Sequence, residues 1–336
     1  MKRFSTIAVL AAAMGSLPCI PATAQEVALK FATTNAPTAH LNAQVLTPWA
    51  ERITAEGKGV LRIELSHGTT LADQSNFYSR VLNDVAQISF GLHGTIAGKF
   101  PLTDVVALPF LTQKSEDSSA ALWRLYESGK LAKEYEDIQV LCLVVFPQLS
   151  IHSRKAIASL DDVKGLKVRA GGNIASQVLQ GLNASPVSMP TADIYQALAK
   201  GTIDATMVQW TAFQPFKLAE VTTHHVDAPL GASSSMVFMS RKKFDSLPKA
   251  ARDLIMKHSG EQFSRQFGIF WDRVQTDDRK LVLASDKHHA YVAGPQEVAK
   301  WSKVLEGVAD RWTKQTPEAA ALLQAYRQEL AKSGGK

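Results

Sequence analysis

The sequence predicts an α/β protein of two lobes, and three observations carry that prediction. Apolar segments with the period of strands alternate with amphipathic segments of helical period through roughly the first hundred residues. The same alternation starts again near residue 140. From Pro248 to about Ala284 helical spacing continues with only Gly260 and Gly268 inside it, a length suited to one helix shared by both lobes.

Val27-Ala-Leu-Lys-Phe-Ala reads as a first strand, and Thr33-Thr34-Asn35-Ala36-Pro37-Thr38 as the loop after it. Leu41, Val45, Leu46, Trp49 and Ile53 then recur at helical spacing. Val60-Leu-Arg-Ile-Glu-Leu alternates as a strand ending at His67-Gly68, the segment from Asn76 to Val85 is helical, and Ile88-Ser-Phe-Gly is a third strand. This order predicts a mainly parallel sheet with helices on both faces. In the second half, Val140-Leu-Cys-Leu-Val-Val-Phe is a buried strand, Leu166-Lys-Val-Arg another, and Ile174 to Leu182 a helix. Ala192 to Lys200 is a helix with Thr191 as its expected cap, and Gly201-Thr-Ile-Asp-Ala-Thr-Met-Val leads into a further strand. From Pro295 the chain is helical and is expected to end in a loose Ser333-Gly-Gly-Lys, with no internal repeat or low-complexity tract.

The start of the chain sets the compartment. Lys2 and Arg3, the apolar stretch from Ile7 to Leu17, and Ala22-Thr23-Ala24 follow the charged, apolar and small-residue order of a secretory signal, with cleavage expected after Ala24. That stretch is shorter than the roughly 20 residues needed to span a bilayer, so the mature chain is expected to be exported and soluble. Cleavage takes 24 residues from 336 and leaves 312, room for about two domains. Loss of Lys2 and Arg3 takes the net charge from +6 to +4, and without a Lys/Arg run that excess argues for a solvated surface and against a nucleic-acid partner. Cys19 lies inside the signal, where Leu17-Pro18 fit a lipoprotein acceptor poorly. Cys142, between Leu141 and Leu143, is the one cysteine of the mature chain, so no intramolecular disulfide is expected and the thiol reads as a small buried apolar group.

The most specific signal lies in the middle. Leu160-Asp-Asp-Val-Lys-Gly-Leu-Lys-Val-Arg169, followed by Asn183-Ala-Ser-Pro-Val-Ser-Met-Pro-Thr-Ala-Asp-Ile-Tyr-Gln-Ala-Leu-Ala-Lys-Gly-Thr-Ile-Asp204, resembles the periplasmic solute-binding subunit of TRAP transporters, the DctP-type family. Gly68-Thr-Thr-Leu, Ala107-Leu-Pro-Phe-Leu and Phe244-Asp-Ser-Leu-Pro support the resemblance, which covers essentially all of the mature chain. It implies two lobes joined by crossing hinge strands, a long helix spanning both, and a ligand trapped as the lobes close. It also implies a small and a large membrane subunit as partners, import driven by an ion gradient, and a monomer without cofactor. The expected division is a signal at 1–24, a first lobe at 25–146 with 235–274, a second at 147–234 with 275–330, and a loose tail at 331–336.

Arg169 ends a predicted strand, at the carboxyl end where open α/β sheets bind ligands. Its guanidinium is a planar fork that matches a carboxylate through two parallel hydrogen bonds, and the resemblance gives the matching arginine that role. Lys167 and Arg154 read as ordinary surface charges. The chain departs from the family pattern in two places. A second arginine carried by many members falls at Leu149, with Gln148 as the alternative match, and an acid-amide-proline run is replaced by Thr206-Met-Val-Gln209-Trp210. Fewer polar partners and more apolar surface point to a monocarboxylate with an apolar or aromatic body, such as an aromatic or 2-oxo acid. Trp210, Phe213, Phe90, Leu149 and Met236 are the expected walls, core packing being the competing explanation for each. Gln209 is a candidate polar contact, and Thr34, Asn35 and His93, in loops after the first and third strands, are candidates for the far end of the ligand.

Other signals are weak. The adjacent pairs His224-His225 and His288-His289 point away from each other on regular backbone and support no metal site. Gly94-Thr-Ile-Ala-Gly98-Lys99-Phe100 lacks the spacing and Ser/Thr of a phosphate loop, and Gly231-Ala-Ser-Ser-Ser lacks a base. The competing classes are a ligand sensor that reports to a membrane receptor and a periplasmic enzyme on the same scaffold; no nucleophile, base and orienting group assemble into a catalytic set.

Overall fold

The computed structural model describes residues 26–333; the expected signal, its cleavage site and Cys19, and residues 334–336 of the expected tail, lie outside them. β1 (Val27–Thr33), β2 (Leu61–His67) and β3 (Ile88–Leu92) pair in parallel in the order β2-β1-β3, with α1 (Thr47–Glu56) and α2 (Phe77–Leu82) as the connecting helices. The five residues picked out by spacing before β2 are all buried, although the turn Asn42–Leu46 has the wider π winding before Pro48 opens α1. α2 is shorter than expected because Asp84 takes the left-handed conformation (φ 59°), which stops the helix ahead of β3.

α3 (Ser115–Glu127) has no forerunner in the sequence pattern, since much of its buried face is Ser115, Ser118, Ser119, Ala120 and Ala121, which give little apolar periodicity. It packs on β4 (Ile138–Val145), a strand buried at every position, where the Ser119 hydroxyl oxygen accepts from the Val145 N–H at 2.9 Å. The chain then crosses through 146–149 into a second sheet. That region contains β5 (Ser150–Ser153), β6 (Lys167–Ala170), α4 (Asn173–Gly181), β7 (Ser185–Ser188), α5 (Ile194–Ala199), β8 (Ala205–Val208), α6 (Phe213–Phe216) and β9 (His224–Asp227). Residues 228–233 lead back into β10 (Ser234–Ser240). After α7 (Arg241–Ser246), α8 (Lys249–Lys257) and α9 (Glu261–Leu283), β11 (His289–Val292) joins the second sheet, and α10 (Pro295–Thr313) and α11 (Ala319–Ser333) follow.

The sheets have the orders β2-β1-β3-β10-β4 and β11-β9-β5-β8-β6-β7. They are mixed, not mainly parallel: β10 runs antiparallel to β3 and β4, and β5 antiparallel to β8 and β9. Each of these two strands has just come across from the other lobe, so it enters its sheet at the end where its neighbours finish. The expected helix over 248–284 is two helices. Gly260 adopts φ 91° between α8 and α9, and its N–H donates to the Leu141 carbonyl at 2.8 Å, a turn that breaks the winding. α9 still reaches both lobes, with Phe263, Phe267 and Trp271 in the core that holds Phe90 and Phe146, and Val282 in the core around Trp210 and Phe213.

Two expectations at the carboxyl end are corrected. α11 lies on α3, where Arg124 donates to the Glu329 carboxylate at 2.7 Å, to its carbonyl at 2.8 Å and to the Ser333 hydroxyl at 2.7 Å. This helix therefore belongs by contact with the first sheet, and residues 331–333 are its last turn and not a loose tail.

The return crossing is held by Gly231, whose φ of 101° suits glycine alone and where an added Cβ would stand 2.1 Å from the Ala107 carbonyl oxygen. Gly231→Ala is expected to lower the unfolding free energy by about 2 kcal/mol, from backbone strain and overpacking together. Urea denaturation measures it, and an unchanged midpoint would show that the crossing relaxes freely.

Candidate functional site

Register places the candidate residues. In the second sheet Arg169 pairs with Thr206, and Ser150 pairs with both Val208 and Asp227, so the ends of β6, β8 and β9 and the start of β5 share one rim. In the first, Leu92 pairs with Ser235 and Val145 with Ser234, so the ends of β3 and β4 and the start of β10 share another. The two crossings join the rims and hydrogen-bond each other: Phe146 N–H donates to Ser233 O at 2.8 Å and Leu149 N–H to Gly231 O at 2.9 Å. A Cβ on Gly94, just past β3, would stand 3.2 Å from the carbonyl of Gly171, just past β6, so the two rims meet closely at this point.

Arg169 sits at this junction, 6% exposed. Its Nε donates to the Met189 carbonyl and one Nη2 hydrogen to the Thr191 hydroxyl, both at 3.1 Å. Thr191 therefore does not cap α5 as expected; it opens a short 3-10 turn, Thr191–Asp193, and holds the guanidinium instead. A guanidinium carries five N–H groups, so three remain. Burial alone pushes its pKa down to about 10, with no acidic side chain near enough to offset the loss of water. It stays charged at neutral pH and lacks a counter-charge, which is the electrostatic condition of a site that takes an anion.

Gln209 follows β8 on the same rim, and its amide Nε2 donates to the Ser233 hydroxyl at 2.6 Å. Leu149, 7% exposed, lies in the outgoing crossing, while Gln148 turns away to donate to the Thr112 carbonyl at 2.6 Å. Thr34 and Asn35 are half-buried just past β1. Thr34 accepts from the Gln74 amide at 2.9 Å and the Asn35 carbonyl accepts from Asn42 at 2.9 Å. Gln74, which sequence motifs did not flag, keeps a buried amide oxygen without a partner.

All five expected walls belong to the core, Leu149 in the same cluster as Met236. Phe90 packs against Phe267 with ring centroids 5.8 Å apart, and Met236, on the other face of the first sheet, is fully buried. Strand side chains point to the sheet faces, whereas the cleft lies past the strand ends. Trp210 exposes no surface; its indole N–H donates to Asp227 at 2.8 Å, and Arg279 holds the other oxygen of that carboxylate at 2.8 Å. Phe213 packs beside it in a tilted arrangement, ring centroids 4.7 Å apart.

His93 is also internal. The Glu134 carboxylate accepts from the Thr103 hydroxyl at 2.6 Å, so Thr103 accepts from Tyr135 at 2.9 Å, Tyr135 from His93 Nε2–H at 2.9 Å, and His93 Nδ1 from the Ser234 hydroxyl at 3.0 Å. A second chain, through His152 and two of the histidines that supported no metal site, His225 and His288, follows the same logic. The Val208 carbonyl accepts from His152 Nε2–H at 3.1 Å, His152 Nδ1 accepts from His225 Nδ1–H at 3.0 Å, and His225 Nε2 from His288 Nδ1–H at 3.1 Å. Among the described residues no group of three or more His, Cys, Asp or Glu is arranged to hold a metal, and no helix is long and apolar enough to cross a membrane. Cys142 is fully buried, and burial pushes its thiol pKa up.

Two α/β lobes joined by two crossings, with a buried guanidinium that has open N–H groups at their junction, are the architecture of a two-lobed ligand-binding protein. The family model described as bacterial extracellular solute-binding protein, family 7, matches residues 31–315, and the chain belongs to that family. The outer membrane transporter protein TsaT of Comamonas testosteroni is 30% identical over 319 residues, which cover 93% of this chain and 92% of that protein. A TRAP solute-binding protein from Rhodoferax ferrireducens, solved in complex with copurified benzoate, has a TM-score of 0.86 at 28% identity, covering 92% of this chain and 98% of that one. A marine metagenome TRAP solute-binding protein, described as specific for aromatic acid ligands and crystallised with 3-hydroxybenzoate, has a TM-score of 0.87 at 28% identity, covering 92% and 99%.

The buried histidines set a pH dependence. Burial pushes His93 and His152 from 6.5 down to about 3, and burial with the neighbouring His152 pushes His225 down to about 2. Above pH 6.5 folded and unfolded chains are both neutral at these sites; below it the unfolded chain takes up protons that the folded one refuses. Stability is therefore expected to fall with pH, by about 1.4 kcal/mol per pH unit for each histidine until the folded pKa is reached. Asp104 and Asp278, which burial pushes up to about 7 and about 6, act in the opposite sense because the folded chain takes up their protons first. Three histidines against two carboxyls leave a net loss of stability, so the urea midpoint is expected to drop from pH 7 to pH 5, and a midpoint that rose over that interval would contradict the neutral, locked imidazoles.

Proposed function

We propose that this protein is the periplasmic solute-binding subunit of a TRAP transporter and captures a monocarboxylate with an apolar or aromatic body. The exported chain closes its lobes on the acid and hands it, without chemistry, as a monomer, to a small and a large membrane subunit that import it on an ion gradient. The buried guanidinium of Arg169, charged and without an acidic partner, carries the reading: it gains a counter-ion only when an anion enters. Leu149, at the position that the family resemblance matches to a second arginine, is a buried apolar residue and leaves Arg169 as the one fixed cation of the reading. The benzoate and 3-hydroxybenzoate held by two structural neighbours fit the same balance of one carboxylate and one apolar ring. Gln209 serves the polar end, Thr34 and Asn35 stand past β1 for the far end, and Trp210 and Phe213 support the rim from beneath.

Thermal unfolding with a panel of acids tests this. Aromatic monocarboxylates are expected to stabilise the wild type by about 2.7 kcal/mol at a hundredfold excess over Kd. Dicarboxylates and sugar acids are expected to leave it unchanged. Arg169→Ala is expected to cost about 3 kcal/mol of binding, more than a hundredfold in Kd. Shifts with dicarboxylates or sugar acids alone would overturn the ligand class, and full binding by Arg169→Ala would remove the clamp.

A further inference from the structure

The run Ser233-Ser234-Ser235 passes through the return crossing into β10, and its three hydroxyls have different fates. Ser234 commits its proton to His93 Nδ1 at 3.0 Å, because the directed chain from Glu134 leaves that nitrogen as an acceptor. Ser235 is fully buried in the first sheet, paired with Leu92, and has no surface on the cleft. Ser233 is half-buried between the rims, and its hydroxyl oxygen accepts from the Gln209 amide at 2.6 Å.

That bond leaves hydrogens over. With Gln209 Nε2 as the donor, the Ser233 O–H and one amide N–H are unspent. With the amide turned over, the hydroxyl donates to Gln209 Oε1 and both amide hydrogens are unspent. Either way the pair presents two donors. Its backbone position also matters, because Ser233 O accepts from Phe146 N–H and Gly231 O from Leu149 N–H. Ser233 thus lies alongside the outgoing crossing, 146–149, at the junction of the two rims.

Resting on the carboxylate-binding reading above, we infer that Ser233, held by Gln209, supplies the second half of the anion clamp opposite Arg169. A neutral donor pair replaces a second cation. The site then has one positive charge and surplus donors, which satisfies one carboxylate and leaves a second carboxylate without neutralisation.

Isothermal titration with benzoate tests the assignment on the mature chain. Ser233→Ala and Ser233→Cys, which keeps the shape with a poor donor, are each expected to weaken binding roughly tenfold to a hundredfold, the range for a hydrogen bond to a charged group. Ser233→Thr, which keeps the hydroxyl, is expected to stay within about threefold of wild type. Ligand-free unfolding temperatures of the three variants report the fold separately; if Ser233→Ala does not fold, the Cys and Thr variants carry the comparison. Wild-type affinity in both the Ala and Cys variants would overturn the role of Ser233 while leaving Arg169 in place. A wild type that binds no acid of a panel of benzoate, 3-hydroxybenzoate, mandelate, pyruvate and succinate would overturn the carboxylate reading itself, and this inference with it.

Discussion

A guanidinium removed from water without an opposite charge is the constraint around which this molecule is arranged. Arg169 is held in place by a carbonyl and a hydroxyl, Met189 and Thr191, that orient it without neutralising it. Those two contacts come from the segment between β7 and α5, so the path of the chain after β7 exists in part to aim the side chain of β6. A buried charge left in this condition costs stability that an arriving anion gives back. On the proposed function, part of the binding energy is built into the fold before any ligand enters.

The second constraint is topological. Because the chain crosses between sheets at 146–149 and 228–233, the crossing strands enter antiparallel, and the carboxyl ends of their neighbours face each other across the cleft. Arg169 near the end of β6, Gln209 just past β8 and Ser233 just before β10 lie along these rims. Side chains on the strands turn toward the sheet faces and become core, as Phe90 and Met236 did.

Buried polar chains stiffen both sides of the cleft. One runs from Glu134 through Thr103, Tyr135 and His93 to Ser234 at the start of β10. The other runs from His288 through His225 and His152 to the carbonyl of Val208, beside Gln209. In each, a terminal group that can only accept fixes the donor direction at every later link, and burial holds the imidazoles neutral. These chains place Ser233 and Gln209 by way of their neighbours in sequence.

Local pattern determined much of this protein by itself. Period-2 and period-3.6 runs located most strands and helices, the alternation of the second half pointed to a second lobe although its first strand, β4, joins the first sheet, and the ordered motif from Leu160 to Asp204 identified the family and made Arg169 a candidate. These features are legible because a few neighbouring residues specify them. What only the tertiary structure decided depends on residues far apart in the chain. Gly260 broke the long helix by bonding to Leu141, and α11 docked on α3 through Arg124. Trp210 found Asp227 and Arg279 and so left the cleft for the core. Thr191 gave up a capping role for Arg169, and Ser233, one of three consecutive serines that look alike in sequence, was singled out by the partner each hydroxyl meets. An aromatic residue or a serine has the same local signature whether it lines a site or packs beside one, because the difference lies in contacts that form only when distant strands pair.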